Sequence, residues 1–249
     1  MKTLTVTHPH TRGDHVARLQ RLLKQAGANP GPIDGEFGPR TAAACVTAKR
    51  KLGYRLADCR PIAGEALIGY LTGTRRRSAA MVARAAKRAL LARERASRSR
   101  LRLRALELAR ADLGTHEGPN NLVKYNTWWT GGRNDGGAYC VRAGSYWYAN
   151  AGSTAIDRRA GRFENTDYLL ARAQAGEFGL RIVDEPRPGD GFVIDWEGHT
   201  NPDHFGLVES VDGSSVETIE ANATLADGRQ GVGRHTRPRG QCWFVRFGK

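Results

Sequence analysis

Apolar residues recur at helical spacing early in the chain and at strand spacing late in it. Val16, Leu19, Leu22 and Leu23 fall on one stripe of a helix over His15–Lys24. Asp14 stands where an N-cap belongs, and Gly27, Gly31 and Pro32 follow the end. Turns are expected at Asp34-Gly35 and Gly38-Pro39. Pro39 opens a second helix, because its missing N–H costs nothing at the first helical position. Ala42–Leu52 makes the body of that helix and Gly53 stops it. A third, short helix is expected over Gly64–Leu71. The pattern predicts a small three-helix bundle over residues 1–73.

From Thr74 to Arg104 the texture changes. Arg75, Arg76, Arg77, Arg84, Lys87, Arg88, Arg93, Arg95, Arg98, Arg100, Arg102 and Arg104 face a single acid, Glu94. Ala and Leu fill the gaps, and neither Gly nor Pro occurs. High helix propensity predicts a basic helical connector over 74–104. Residues 105–249 form the third segment. A helix over Ala105–Leu113 is closed by Gly114, a Trp- and Gly-rich stretch follows, and another helix begins near Cys140. Past Pro186 and Pro188 the pattern turns to strands at Phe192–Ile194, Phe205–Val211, Val216–Glu220 and Gln241–Phe247. Asp212-Gly213 is a hairpin signal. Helices first and antiparallel strands later predict an α+β fold.

Composition adds a partner class. The chain has 249 residues, 40% of them hydrophobic, enough for two domains. Its formal net charge is +14, which draws it to polyanions such as nucleic acid, anionic membranes or the phosphate-bearing polymers of cell walls. No nucleic-acid motif accompanies the arginine run and no aromatics interleave it, so no specific nucleic-acid partner is expected. The cysteines are Cys45, Cys59, Cys140 and Cys242. No CxxC pair occurs, and four cysteines are too sparse for a disulfide scaffold. Cys45 and Cys59 are expected as small buried thiols. The run Met1–His8 has no apolar core of a signal peptide, and no segment has the length of a transmembrane helix.

Chemistry concentrates in the third segment. Glycines 136 and 137 lead to Tyr139-Cys140 at a helix start, where partial positive charge favours a thiolate. A thiol nucleophile needs a base held by a third group. His204 enters the strand Phe205–Val211, and the hairpin brings the next strand back beside it. With a turn at Asp212-Gly213 or one residue beyond, facing position numbers sum to roughly 424–426. An even sum sets His204 opposite Glu220 or Asn222, which share one face while Ile219 and Ala221 take the other. A carboxylate or amide there fixes the imidazole. An odd register breaks the arrangement. Trp128, Trp129, Tyr139 and Trp196 are candidate groove residues. No H-E-x-x-H occurs, and His199, Asp203 and His204 lack a third well-spaced ligand, so no metal and no cofactor is expected.

Five stretches in this order, Gly114–Asn121, Tyr139-Cys140, Pro186–Asp190, Asp203–Glu209 and Thr218–Asn222, resemble the CHAP family of cysteine- and histidine-dependent amidohydrolases/peptidases. The resemblance implies a papain-like fold with Cys140 as nucleophile, His204 as general base and acid, and Glu220 orienting His204. Asn222 falls where the family often has a supporting amide. Family members usually have Trp before the Cys, where Tyr139 stands here. Some bind calcium in an Asp-rich loop before the Cys; Arg133–Gly137 has one carboxylate, which is too few oxygen ligands. The backbone N–H of Cys140 is the expected oxyanion donor, with Asn134 as a second.

Residues Gly13 to about Gly73 resemble the three-helix peptidoglycan-binding domain. The run Gly31-Pro32-Ile33-Asp34-Gly35-Glu36-Phe37-Gly38-Pro39-Arg40-Thr41 carries the likeness, and Asp34 and Phe37 are its candidate wall-binding residues. Cys45, Ala48 and Lys49 stand where that family continues with an aliphatic residue and Phe-Gln. A wall-binding module joined to a cysteine amidohydrolase resembles a phage endolysin. Such an enzyme is monomeric, gathers in the host cytoplasm and cleaves either the N-acetylmuramoyl-L-alanine amide or a peptide bond of peptidoglycan. The basic connector then meets anionic wall polymers. The alternative is a catalytically inactive wall-binding protein.

Overall fold

The computed structural model describes residues 3–158, 163–196 and 202–248. The chain divides into two compact units, residues 1–94 and 95–249.

The first unit is helical: α1 Asp14–Gln25, α2 Pro39–Leu52 and α3 Glu65–Thr72. Val16, Leu19 and Leu23 bury the expected stripe against Phe37, Ala44, Cys45, Ala48 and Leu67. Asp14 is the first residue of α1 and Gly13 its N-cap, so the carboxylate acts on the helix dipole from inside the first turn. Gly53 ends α2 in the left-handed region at φ 91°, and a Cβ there would lie 1.8 Å from the Met81 carbonyl oxygen. The turn before α2 is tied to α1 by Gln20, which is buried. Its amide donates to Asp34 Oδ1 (2.8 Å), the Glu36 carbonyl (3.1 Å) and Thr41 Oγ1 (3.1 Å), and accepts from Gly35 N (3.0 Å).

The basic segment is helical, as its propensity predicts. The helix expected to begin at Ala105 is not separate from it: α4 runs without a break over Ala79–Ala111. Nothing in the sequence between Ser78 and Asp112 supplies a stop. In the first unit, Arg84 and Arg88 on α4 donate to the carbonyls of Gly53, Arg50 and Tyr54. In the second unit, Leu101, Ala105, Leu106 and Ala109 enter the core.

The second unit continues with α5 Lys124–Thr130, α6 Cys140–Asn150 and α7 Thr166–Gln174. Six strands follow: β1 Arg181–Val183, β2 Gly191–Ile194, β3 His204–Asp212, β4 Ser215–Thr224, β5 Gln230–Pro238 and β6 Cys242–Arg246. They form one antiparallel sheet in the order β1-β6-β2-β3-β4-β5. The α+β architecture read from the sequence is the one observed. β2 lies between β6 and β3 and is buried at all its positions, which explains its unbroken apolar run. Residues alternate in side. Val193, Phe205, Leu207, Ile219 and Val245 join the main core with α6, while Phe192, Ile194, Val208, Val216 and Phe244 form a second cluster. Asp112 is a buried anchor that accepts from Tyr125 Oη (2.7 Å), Trp147 Nε1 (2.8 Å) and Lys124 Nζ. All four cysteines are free; Cys45 is buried, whereas Cys59 is partly open because it sits just after a short turn outside the helices. Among the described residues no helix is long and apolar enough to cross a membrane.

Candidate active site

His204 is the first residue of β3 and only 8% exposed. Gly206, two positions on, faces Glu220 of β4. A Cβ at Gly206 would lie 2.8 Å from Glu220 Cγ and 2.6 Å from Phe192 Cε1, so glycine leaves the space that the Glu220 side chain fills. His204 Nε2 is 3.0 Å from Glu220 Oε2. The oxygen stands off the axis of the ring N–H, so charge attraction holds the pair more than a straight hydrogen bond does.

The pairing arises by a route the sequence does not show. At the turn, Asp212 faces Ser215 and Val211 faces Val216, which is an odd register. A β-bulge between Val208 and Ser210 absorbs one residue, and beyond it Val208 faces Thr218 and Gly206 faces Glu220. The register beside the site is therefore even.

Cys140 is the first residue of α6 and 7% exposed. Its thiol is close enough to the His204 imidazole to strengthen that ring's hold on a proton. The two meet where α6 and β3 both begin. Their approach depends on Gly144, one turn along α6 from Cys140. A Cβ at Gly144 would lie 2.1 Å from Cε1 of Phe205, the neighbour of His204, so only glycine lets the helix lie this close to the strand.

Electrostatics ties the groups together. Burial pulls the His204 imidazole down, but the contacts with Cys140 and Glu220 outweigh it and raise the group to about 9. Burial pushes Glu220 up, but His204, Arg237 and Thr218 together hold it down at about 2. Glu220 is 0% exposed and fully partnered. Thr218 Oγ1 and Arg237 Nε donate to Oε1 at 2.6 and 2.7 Å, and Arg237 Nη2 donates to Oε2 at 2.5 Å.

His204 borders a cleft of ≈ 430 Å³ that is also lined by Trp196, Asn222, His235 and Arg237, among others. Trp196 is 49% exposed, its ring stacked over His204 at a centroid distance of 6.4 Å. The Arg237 guanidinium lies 4.4 Å from the centre of the same indole. Asn222 takes a left-handed conformation at φ 59° in a second bulge, between Ala221 and Ala223. Asn tolerates that region better than most residues.

Residues 129–222 match the family model described as CHAP domain. The chain carries a CHAP domain. Residues 12–54 match a second model, putative peptidoglycan binding domain. The two matches together support a peptidoglycan hydrolase with peptidoglycan as its partner. Comparisons with curated proteins and with solved structures give no match.

Around the CHAP domain site, the sequence-expected residues divide into two groups. Cys140, His204, Glu220, Asn222 and Trp196 gather at or beside the cleft. Trp129 and Tyr139 are buried, and Trp128 packs edge-on against Tyr146 with Arg158 over its face. None of the three lines the cleft beside His204. In the first unit Phe37 is fully buried and serves the core, while Asp34 is exposed with one oxygen engaged by Gln20 and the Glu36 amide. Asn134 donates one amide N–H to the Asn120 carbonyl at 2.7 Å. The lone loop carboxylate, Asp135, is bound at 2.7 and 3.0 Å by the Arg142 fork, which also reaches Asn126 and holds Asp135 down at about 2. Among the described residues no group of three or more His, Cys, Asp or Glu gathers that could hold a metal ion. His199 lies outside the described residues. Sequence reading missed Thr218, His235 and Arg237, two of them on the unexpected strand β5.

Proposed function

We propose that this chain hydrolyses an amide bond of bacterial peptidoglycan through Cys140, with His204 as proton carrier and Glu220 as its orienting carboxylate. The observation that carries the reading is His204 held 3.0 Å from the buried Glu220, with Cys140 at the head of α6 near enough to raise the same imidazole. In the reaction, the Cys140 thiolate attacks the amide carbonyl carbon. The backbone N–H of Cys140, which helix geometry leaves without an intrahelical acceptor, donates to the developing oxyanion. His204 gives its proton to the leaving amine as the C–N bond breaks, which leaves a thioester on Cys140. Water then attacks the thioester, His204 takes the water's proton, and the acid departs with the thiolate restored. An imidazole raised to about 9 is cationic through neutral pH, ready for the first transfer.

The bond is an N-acetylmuramoyl-L-alanine amide or a stem or cross-bridge peptide bond. The pairing of the two domains suits a phage endolysin that gathers in the host cytoplasm and works as a monomer on the wall. Exposed arginines of α4 suit anionic wall polymers. The test is digestion of purified peptidoglycan by wild type and Cys140→Ala, reading new amines, reducing ends and fragment masses. Release by wild type alone supports the thiol mechanism and names the bond. Equal release by both sinks it. Release by neither favours a wall-binding protein without activity.

A further inference from the structure

We propose that Arg237 is a positioning residue of this site: its fork fixes the Glu220 carboxylate, and through it the His204 imidazole, while its flat face supports Trp196 at the mouth of the cleft. The inference rests on the Cys140–His204–Glu220 reading above, and Arg237 lies outside the residues matched to the CHAP domain, which end at 222.

The geometry carries it. Glu220 is wholly buried, and a carboxylate there needs its orientation set, because either oxygen can turn to His204. Arg237 reaches back from β5, where it faces Val216, and binds both oxygens, Nε to Oε1 at 2.7 Å and Nη2 to Oε2 at 2.5 Å. A planar bidentate pair fixes the plane of the carboxylate as well as its place. Thr218 holds Oε1 a second time at 2.6 Å, which leaves Oε2 directed toward His204 Nε2. The guanidinium is itself held, with Trp196 over it at 4.4 Å. Thus one arginine links the base's orienting group to the exposed indole beside the base. A lysine at this position would bring the charge without the fork.

The charged and titratable groups around His204 are Cys140 on α6, Glu220 on β4 and His235 on β5, with Arg237 and, on β6, Cys242 acting through Glu220. The alkaline fall in reactivity reports loss of the imidazolium proton, and a carboxylate free to turn away no longer holds that proton.

The test is the rate of alkylation of Cys140 by iodoacetate as a function of pH, in wild type, Arg237→Ala and Arg237→Lys, each checked for a folded state by circular dichroism. Iodoacetate is drawn in by the imidazolium, so its rate falls as His204 deprotonates, and the readout needs no wall substrate. Expected is a loss of about tenfold or more in Arg237→Ala, with the alkaline limb moved to lower pH. Added methylguanidinium restores both, and Arg237→Lys also shows the lowered limb. A limb that stays in place or moves up in both variants overturns the proposal, as does a slow Arg237→Ala that methylguanidinium leaves slow. Wild type that shows the limb but leaves peptidoglycan intact refutes the proposed substrate and not the role of Arg237.

Discussion

Gly144→Ala sets two effects of opposite sign against each other. Alanine in the middle of a helix favours α6 by about 1 kcal/mol over glycine. Against that, the new methyl would lie 2.1 Å from Phe205 Cε1, 2.9 Å from Cζ and 3.0 Å from Cδ1. Phe205 is itself fully buried in the main core and has no free space to turn into. Relief to an ordinary contact of 3.4 Å needs a shift of about 1.3 Å between α6 and β3. Overpacking costs about 1–3 kcal/mol, and an approach of 2.1 Å belongs at the upper end, so the variant loses on balance about 2 kcal/mol. The greater effect is on reactivity. Cys140 rides on α6 and His204 on β3, so the shift separates the thiol from the base, and a misplacement near 1 Å costs about 10²-fold in rate. Urea unfolding of the whole chain gives the stability, and iodoacetate alkylation of Cys140 gives the reactivity. A variant with lowered stability but wild-type alkylation refutes the claim that this contact sets the distance between the two groups, and a wild-type midpoint refutes the steric argument altogether.

The histidine–glutamate pair predicts a pH window. His204 is raised from 6.5 to about 9, so its contribution to stability is complete below 6.5 and is lost as pH rises through 9. Glu220 is lowered from 4.5 to about 2, so its contribution is complete above 4.5 and is lost as pH falls through 2. Unfolding midpoints measured from pH 3 to 10 are therefore highest between these limits, and a midpoint still rising from pH 7 to 9 contradicts the pair. Glu220→Gln removes the charge that holds the imidazolium; activity falls about 10²–10⁴-fold and its alkaline limb drops toward 6.5, measured as peptidoglycan turnover against pH. Asp112→Asn weakens the anchor under Tyr125, Trp147 and Lys124 by about 1–3 kcal/mol in urea, yet leaves the alkaline limb where it was. Gln20→Leu strips the Gly35 amide and Asp34 of their partner, costs about 1–3 kcal/mol and lowers retention of the chain on sedimented peptidoglycan.

Elements with a strong local signal were legible in the sequence. The stripe from Val16 to Leu23, Pro39 at a helix start and Gly53 at its end all encode local geometry, and the structure has them within a residue or two. The continuous apolar run of β2 and the alternation of β3 and β4 likewise report burial directly. What the sequence hid was set by distant contacts. In β5, Gln-Gly-Val-Gly-Arg-His-Thr-Arg-Pro, one face consists of Gly231, Gly233, His235 and Arg237. Its polar side chains are there for Glu220 and the cleft, so the strand lacks an apolar alternation. No helix breaker lies within Ala79–Ala111, yet the change from a basic to an apolar texture suggests two helices meeting at Ala105, where the structure has one; Met81 packs in one unit and Leu101 to Ala109 in the other.

The same division explains the site. Cys140 at a helix start and a hairpin returning to His204 could be read from spacing, because helix starts and tight turns are local. The face shared by His204 and Glu220 depends on a bulge at Glu209, and nothing in Val208-Glu209-Ser210 marks it. At that bulge, Glu209 accepts from Arg110 Nε on α4 at 2.7 Å and from Arg234 Nε on β5 at 2.7 Å. A side chain drawn out to two arginines is compatible with an extra residue in one strand, and a ladder shifted by one residue exchanges the faces of everything beyond it. With the turn's own odd register carried through, Glu220 would point to the opposite side from His204. The His204–Glu220 contact therefore depends on a residue five positions from the histidine that touches neither partner. Sequence spacing left Glu220 and Asn222 both open beside His204, and the bulge is what brings Glu220 to it.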